Sequence, residues 1–444
     1  MRKVWSCMNK KISIGLAISI AAIVAVISVT ITYTFAMRKF EERMGLITDR
    51  QFAYAMLGEI EAKVRQKYDG DIDYDKLLES MADGLMESLG DDQCEYLSAD
   101  DYERESNGLA GYDFGLGIDV SRASDGNILV NRVQGGSSAA TAGMKKGDII
   151  TYVNGVTVLS TGYDKAIATI SEAKTEVTLK VLRGDTAISF NVSKASFAKV
   201  PVEYSNLSGV GYITIYDFNE RTDDHFNSAY STLKSAGITG LIIDLRSVSG
   251  GSLAEYESAC SILDTLLPQG NLMTFVDSEG NSKVLYTSDS KSTDLKMVIL
   301  VNGDTAGAAE LFASAVYDYG KCYIVGTATS GQMTVQEYFE LSDGSAIKLT
   351  TGTWKTDTCS AIADGKISTG GFFYNVPLST YQETNRYVLK PEEDPQISTA
   401  LDLLATQKDD TSSQTPTTTT AAPPTTTTTT APAPTTTTTT AAAQ

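Results

Sequence analysis

Two short runs that are apolar except for Asp244, Leu241–Leu245 and Met297–Val301, constrain the fold of this chain more than any other feature. A short apolar run of this kind is typical of a strand that is buried on both faces. A helical stretch follows each run, and another strand and helix precede them. The predicted order is Val210–Tyr216, Thr222–Ser235, Leu241–Leu245, Ser252–Leu267, Met297–Val301 and Ala306–Tyr319. This alternation predicts an α/β layer, with Thr222 as a helix cap.

The chain before this layer divides into two regions of different pattern. Phe40–Tyr68 and Asp73–Leu89 have helical periodicity. From Gly108 to Phe197 the pattern changes to short strands and turns, such as Asn127–Arg132 and Val177–Leu182. We therefore predict an α/β (α+β) multidomain protein with a helical N-terminal region, a β domain and an α/β core.

The segment from Ile12 to Met37 is almost wholly apolar and carries no charge. It is long enough to cross a bilayer, which takes about 20 residues. Four basic residues precede it: Arg2, Lys3, Lys10 and Lys11. The positive-inside rule then predicts a cytoplasmic segment 1–11, a transmembrane signal anchor 12–37, and a single-pass cell-membrane protein whose bulk is extracytoplasmic. The alternative is a cleaved signal peptide with its small-residue site at Thr34–Ala36.

Composition excludes several classes of partner and site. The net charge of −19 excludes nucleic acid, which requires clustered Lys and Arg. The five cysteines form no CxxC pair, and His225 is the single histidine, so we predict no metal site, disulfide framework or cofactor. Residues 409–444 are rich in Thr, Ala and Pro and are predicted to be disordered, either as a plain flexible tail or as a glycosylated stalk.

Six segments occur in the order found in one peptidase family. They are Leu85–Asp92, Ser137–Gly155, Gly211–Ile215, Gly240–Gly251, Asp343–Thr350 and Asp394–Ile397. Together they resemble the carboxyl-terminal processing peptidases, or tail-specific peptidases, which are exported serine enzymes with a Ser–Lys dyad and an inserted PDZ domain. The resemblance implies a helical region over 40–106, a PDZ-like domain over 107–197 and a peptidase-like core over 198–408.

The block from Val301 to Gln336 resembles the active-site region of that family without a gap. The position of the family's nucleophilic serine falls on Gly307, and the position of its general-base lysine falls on Gln332. The glutamine that helps to position the lysine is retained as Gln336. The resemblance also implies that backbone N–H groups at Gly250 and Gly251 could stabilise an oxyanion. The family's Asn-Pro before these glycines is replaced here by Val248-Ser249.

The residues at the two dyad positions cannot perform the family's chemistry. A serine hydroxyl needs a neighbouring base, and a lysine serves as that base when its pKa is lowered. Glycine has no nucleophile and glutamine accepts no proton. Substitutes can be considered, with Thr305, Ser314 or Ser330 as nucleophile and Lys321 or His225 as base. Each also has an ordinary structural explanation, as a turn, helix-face, loop or surface residue.

The segment Phe114-Gly115-Leu116-Gly117-Ile118 resembles the carboxylate-binding loop of PDZ domains. Such a loop directs backbone N–H groups at a peptide's terminal carboxylate, while the peptide adds to a sheet edge as a strand. The alternative is that Gly115 and Gly117 only shape the start of a strand.

These observations support three hypotheses. The first is a membrane-anchored, catalytically inactive pseudopeptidase that binds peptide or protein C-termini. The second is an active serine-type endopeptidase that uses a non-standard nucleophile, Thr305 or Ser330. The third is a structural envelope protein in which the anchor and the Thr-rich tail matter and the cleft has no role.

Overall fold

The computed structural model describes residues 14–289, 292–320, 322–358, 361–368 and 372–406, with side chains given for 23–39 and from 51 onward. The predicted cytoplasmic segment 1–11, the predicted disordered tail 409–444 and Lys321 lie outside the described residues. The chain divides into two compact units, Met1–Ala82 and Asp83–Gln444.

Two helices dominate the N-terminal part of the chain: α1, Ile14–Lys67, and α2, Tyr74–Glu87. Both agree with the predicted helices, and α1 also continues through most of the segment 12–37. Within the part of the chain whose side chains are given, no helix combines the length and the hydropathy that a bilayer crossing requires. The predicted segment 12–37 lies partly outside those residues, and its membrane role stays a prediction.

The region that follows is built from short strands and small helices. Its elements are β1 Glu95–Leu97, α3 Ala99–Leu109, β2 Tyr112–Gly115, β3 Ile118–Arg122, β4 Ile128–Val133, α4 Ser138–Ala142, β5 Ile149–Val153, β6 Val156–Thr157, α5 Val158–Thr161, α6 Tyr163–Glu172, β7 Glu176–Arg183, β8 Thr186–Ser193 and β9 Ala195–Ala198. Strands β3-β4-β5-β7-β8 form one sheet with β6 beside β5, and β2 pairs with β9. Strand β3 lies at an edge of its sheet, since β4 is its one partner in the described ranges.

The C-terminal region is the α/β layer. Its elements are β10 Val202–Leu207, β11 Val210–Ile215, α7 Thr222–Ser235, β12 Gly240–Asp244, α8 Leu253–Leu266, β13 Gly270–Asp277, β14 Ser282–Ser288, β15 Lys296–Val301, α9 Ala308–Asp318, β16 Cys322–Gly326, β17 Thr334–Glu340, β18 Ala346–Lys355, β19 Ile362–Ala363, β20 Lys366–Ile367, β21 Phe373–Asn375, α10 Thr380–Asn385, a 3₁₀ turn Pro391–Glu393 and α11 Pro395–Thr406.

The central sheet has the strand order β10-β11-β12-β15-β16-β21. All neighbours are parallel except β10 and β11. The two apolar runs form β12 and β15 at its centre, as predicted, and they are buried on both faces. One face packs against α7, α8 and α9, and the other packs against α11. The loops that follow β12 and β15 therefore lie side by side at the carboxyl ends of these strands.

A second, antiparallel sheet has the order β1-β18-β13-β14, with β17 also paired to β18. Strand β1 was not predicted. Its pairing with β18 joins Glu95 to Lys348 and Leu97 to Ala346. This pairing carries the preceding turn, Gly90–Cys94, to the start of β17.

The helix starts include one cap that was not predicted and one cap prediction that is wrong. Ser252 caps α8 and forms a reciprocal pair of hydrogen bonds with Glu255, as a capping box does. Thr222, which the sequence suggested as the cap of α7, is instead the first helical residue and follows Arg221. Its hydroxyl accepts from the Asn219 N–H and donates to the Asp217 carbonyl, so it stabilises the preceding turn rather than the helix end.

Candidate active site

Gly307 lies at the junction between β15 and α9, in the residue position just before the helix begins. The chain reaches it through a tight turn in which the Thr305 N–H donates to the Asn302 carbonyl over 3.0 Å. Gly307 has φ +58°, in the left-handed region that favours glycine. The backbone at the predicted nucleophile position is therefore one that an L-residue adopts only with strain.

The space that a side chain on Gly307 would occupy is already filled. A Cβ atom there would overlap the carbonyl oxygen of Gly250 and press on the Cα of Gly251. That carbonyl oxygen accepts a hydrogen bond of 2.8 Å from the Ala308 N–H. The first N–H of α9 is thereby paired inside the protein, and it is not free to stabilise an oxyanion in this conformation.

Glu310 connects the two predicted dyad positions through the backbone. Its carboxylate Oε2 accepts from the Gly307 N–H at 3.1 Å and from the Gln332 N–H at 2.8 Å. Its Oε1 accepts from the Gly331 N–H at 2.9 Å and from the Thr329 hydroxyl. Burial raises the pKa of the Glu310 carboxyl, while these four hydrogen bonds oppose the rise. The carboxylate holds the start of α9 and the loop before β17 at a fixed separation.

A side-chain amide cluster stands where the family has its lysine. Gln332 Nε2 donates to Gln336 Oε1 at 3.2 Å and to Gln93 Oε1 at 3.1 Å. Gln336 is fully buried, and its own Nε2 donates to Thr334 Oγ1 at 2.8 Å and to Thr350 Oγ1 at 3.4 Å. None of these amides can take a proton from a nucleophile near neutral pH.

The amide cluster lies directly on Gly251. A Cβ atom on Gly251 would overlap Gln336 Oε1 and Gln332 Nε2. The Gly251 carbonyl accepts from the Gln336 N–H at 2.7 Å. The structure thus brings Gly250, Gly251, Gly307, Gln332 and Gln336 into one cleft, as the sequence register predicts.

The candidate substitute residues are buried, hydrogen-bonded to other groups or located outside the cleft. Thr305 is fully buried, and its hydroxyl donates to the Leu245 carbonyl at 3.0 Å while accepting from the Asn302 N–H. Ser314 is also buried and shares a hydrogen bond with Thr356. Ser330 is exposed beside the cleft, and its N–H donates to the Thr305 carbonyl. His225 lies in the first turn of α7, not in the 302–307 turn or the 329–332 loop.

The PDZ-like loop is shaped by contacts with α4. The Leu116 carbonyl accepts from the Ala139 N–H at 3.0 Å, and the Gly117 carbonyl accepts from the Gln134 N–H at 2.9 Å. In a trans peptide the next N–H points the opposite way, so the N–H groups of Gly117 and Ile118 point away from these partners. Gly117 has φ +78°, and a Cβ atom there would overlap the side chain of Ser137.

The first residue of that segment lies apart from the loop. Phe114 belongs to β2, where it pairs with Ser196 of β9, and its side chain is exposed. Gly115 ends β2 and has open space around it, with the nearest atom 3.9 Å from the point where a Cβ atom would stand. Leu116 is buried and Ile118 begins the edge strand β3. The loop proper is therefore Leu116–Ile118.

Comparisons with known proteins agree with this architecture. Residues 209–368 match the family "Peptidase family S41", and residues 110–182 match the "PDZ domain". A "Probable CtpA-like serine protease" of Staphylococcus epidermidis is 32% identical over 318 residues, which is 70% of this chain and 63% of that protein. Residues 209–368 belong to peptidase family S41. The predicted resemblance to the carboxyl-terminal processing peptidases is confirmed, and so is the predicted α/β multidomain fold class.

Two further proteins are similar to this chain, one in sequence and one in structure. A protein of the same name from Staphylococcus aureus is 29% identical over 347 residues, covering 77% of this chain and 68% of that one. The crystal structure of a Bacteroides fragilis protein assigned to the S41 proteases has a TM-score of 0.55 at 18% identity and covers 77% of this chain and 93% of that chain, which shows the shared fold. The chain spans less than two thirds of the S. epidermidis relative's length.

Two participants in the peptidase cleft, Gln93 and Glu310, were not predicted from the sequence, and neither was the contact of Arg386 with the neighbouring Ser247 loop. Gln93 follows the Leu-Gly-Asp-Asp turn, and its position depends on the pairing of β1 with β18. Glu310 lies within the block that resembles the family's active-site region, and an acid three residues after a helix start is a capping signal. Arg386 donates through Nη2 to the Ser247 hydroxyl at 2.9 Å, and nothing local in the sequence indicates that contact.

Proposed function

We propose that this S41 chain is a pseudopeptidase: a membrane-anchored, extracytoplasmic protein that binds peptide or protein C-termini without cleaving them. The observation that carries the proposal is the overlap between the Gly250 carbonyl and the side-chain position of Gly307. The nucleophile is missing and its space is closed. The amide of Gln332, bonded to Gln336, replaces the base.

The PDZ-like domain supports the binding part of the proposal. Strand β3 lies at a sheet edge, and the N–H groups of Gly117 and Ile118 point away from Ala139 and Gln134. An extended peptide can add to such an edge while its terminal carboxylate accepts from the loop. Arg122 at the far end of β3 donates to Asp164 at 3.2 Å and lies over the Tyr163 ring, so this end of β3 lies close to the start of α6.

Proteolysis by the purified full-length chain is the first test. An unstructured protein with an apolar C-terminus serves as the substrate, and the Gly307→Ser, Gln332→Lys double variant is assayed beside the natural chain. We expect the natural chain to be silent, because removal of a nucleophile or base costs on the order of 10⁶-fold in a comparable enzyme. Turnover by the natural chain that disappears in Ser330→Ala or Thr305→Ala would establish the active-endopeptidase hypothesis instead.

Peptide binding is the second test. A fluorescent peptide with an apolar C-terminal residue is compared with the same peptide carrying a C-terminal amide. We expect binding of the free acid and a loss of at least about tenfold for the amide, since a charge-assisted contact is removed. Equal binding, or none, would contradict the pseudopeptidase and favour a structural envelope role.

The membrane anchor belongs to the proposal and rests on the apolar, uncharged segment 12–37. Extraction tests it directly. The full-length chain should stay with the membrane fraction in alkaline carbonate, and a variant without residues 12–37 should not.

A further inference from the structure

Arg386 is a buried cation that lacks an ionic partner. Its side chain is 8% exposed and its guanidinium lies 4.5 Å from the centroid of the Tyr387 ring. Nη2 donates to the Ser247 hydroxyl, while Nη1 is buried and has no hydrogen-bond partner in the described part of the chain. No carboxylate of the described residues forms an ion pair with it, although a buried charge is costly unless it is paired.

Arg386 lines a cleft of about 240 Å³ between the PDZ-like domain and the core, here called the Arg386 cleft. The charged residues of its wall are Lys146, Glu203, Asp244, Arg246 and Arg386. Its two carboxylates already have arginine partners. Asp244 bonds Arg246 at 2.6 Å, and Glu203 bonds Arg132 at 2.8 Å.

Two cations of the Arg386 cleft stand outside these ion pairs. Lys146 forms no ion pair with any described residue, and neither does Arg386. These two cations come from different domains, with Lys146 in the loop between α4 and β5 and Arg386 at the end of α10. The charges of Asp244 and Glu203 act on Arg386 and Lys146 from beyond ion-pair distance, which leaves both cations able to donate to an added anion.

We propose that the Arg386 cleft binds a small oxyanion, a phosphate, sulfate or carboxylate group, between Lys146 and Arg386. The planar guanidinium matches the paired oxygens of such a group, and the ammonium of Lys146 supplies a second positive charge. The proposal is independent of whether the cleft at Gly307 has any peptidase activity.

A hydrogen bond from Arg386 to Ser247 connects the proposed site to the loops of the peptidase cleft. The Ser247 hydroxyl that accepts from Arg386 also donates to Asp304 Oδ2 at 3.1 Å. Ser247 belongs to the loop that ends at Gly250 and Gly251, and Asp304 belongs to the turn that ends at Gly307. An oxyanion on Arg386 would therefore stabilise both loops together.

Thermal unfolding of the full-length chain tests the proposal, since a ligand that binds the folded state raises Tm in a saturable way. Phosphate, sulfate and acetate are titrated separately at constant ionic strength against chloride, so that the three arms identify the group preferred. We expect a saturable rise for the natural chain and none for Arg386→Met. Lys146→Met should weaken the apparent affinity by about tenfold, the effect of losing one charge-assisted contact. The neighbouring Lys145→Met, outside the cleft, should leave it unchanged.

Three outcomes would overturn the proposal. One is the absence of a saturable Tm rise with any of the three anions. Another is a rise that Arg386→Met and Lys146→Met both retain at unchanged affinity, which indicates binding elsewhere. The last is an equal loss in Lys146→Met and Lys145→Met, which indicates a general charge effect. If Arg386→Met fails to fold, the comparison of Lys146→Met with Lys145→Met decides alone.

Discussion

The carbonyl oxygen of Gly250 fills the position that the side chain of residue 307 would need, and it is held there by the Ala308 N–H. Restoring a serine at 307 is therefore more than an exchange of one side chain. The peptide between Gly250 and Gly251 has to rotate as well, which two glycines permit.

Replacing Gly307 by alanine should destabilise the protein by at least about 2 kcal/mol, from backbone strain at φ +58° and the overlap with Gly250. Gly303 in the same turn is the matched control. Its nearest neighbour lies 3.9 Å from an added Cβ and its φ is outside the left-handed region, so Gly303→Ala should stay within about 1 kcal/mol. Urea denaturation of both variants measures the difference, and similar losses would mean that the Gly250 carbonyl is not fixed there.

Removing the Glu310 carboxylate should cost about 3 kcal/mol or more, because four donors from Gly307, Thr329, Gly331 and Gln332 lose their acceptor inside the protein. Glu310→Ala is compared by denaturant unfolding with Glu340→Ala, an exposed residue at the end of β17 that should change stability by less than about 0.5 kcal/mol. A loss below about 1 kcal/mol for Glu310→Ala would refute this role as a connector.

The stability of the protein should depend more on the buried amide of Gln336 than on the exposed amide of Gln93. Gln336→Ala leaves Gln332, Thr334 and Thr350 with unmatched polar groups and should cost about 2 kcal/mol. Gln93→Ala removes one bond at the surface and should cost less than about 1 kcal/mol. Denaturant midpoints give both values, and the reverse order would show that the Gly90–Cys94 turn, not Gln336, holds the cluster.

Peptide binding should depend on Gly117 and not on Gly115. Gly117→Ala drives a methyl group into Ser137 and displaces the loop, so the affinity for a free C-terminus should fall by at least about tenfold. Gly115→Ala meets open space and should bind as the natural chain does. Fluorescence anisotropy with the free-acid peptide measures both affinities, and equal affinities would place the carboxylate elsewhere.

The Asp244–Arg246 pair should make stability sensitive to acid. Burial alone would raise the pKa of Asp244, but the charge and hydrogen bonds of Arg246, with the charge of Arg386, lower it below its usual value. The stabilisation is therefore complete above the unfolded pKa of about 4 and is lost as the pH falls through the lower folded pKa. The stability gap between the natural chain and Asp244→Asn should shrink from pH 6 towards pH 2 in denaturant unfolding. A constant gap would show that Asp244 does not titrate in this range.

Patterns that depend on neighbouring residues were predicted well from the sequence. The apolar runs predicted β12 and β15 to within one residue. The order of motifs from Leu85 to Ile397 gave the family and placed Gly307, Gln332 and Gln336 in one cleft.

Features that depend on how distant segments meet could not be predicted. The direction of the Gly250 carbonyl is set by Ala308, which is far along the chain and carries no side-chain signal for it. Thr222 had the residue type of a helix cap, yet the turn at Asp217–Asn219 competes successfully for its hydroxyl. Arg386 reaches Ser247 across 139 residues, a contact that only the folded core creates.

The sharing of one Glu310 oxygen by the N–H groups of Gly307 and Gln332 has a consequence for protein engineering. The spacing between the two dyad positions is set by main chain and one buried acid, not by the side chains at either position. The side chains at 307 and 332 can therefore be exchanged without changing the distance between the two backbone positions. A catalytic side chain, a spectroscopic probe or one half of a cross-linking pair can be introduced at Gln332 first. The same can be done at Gly307 once the Gly250 peptide has rotated, and the main chain held by Glu310 keeps its position.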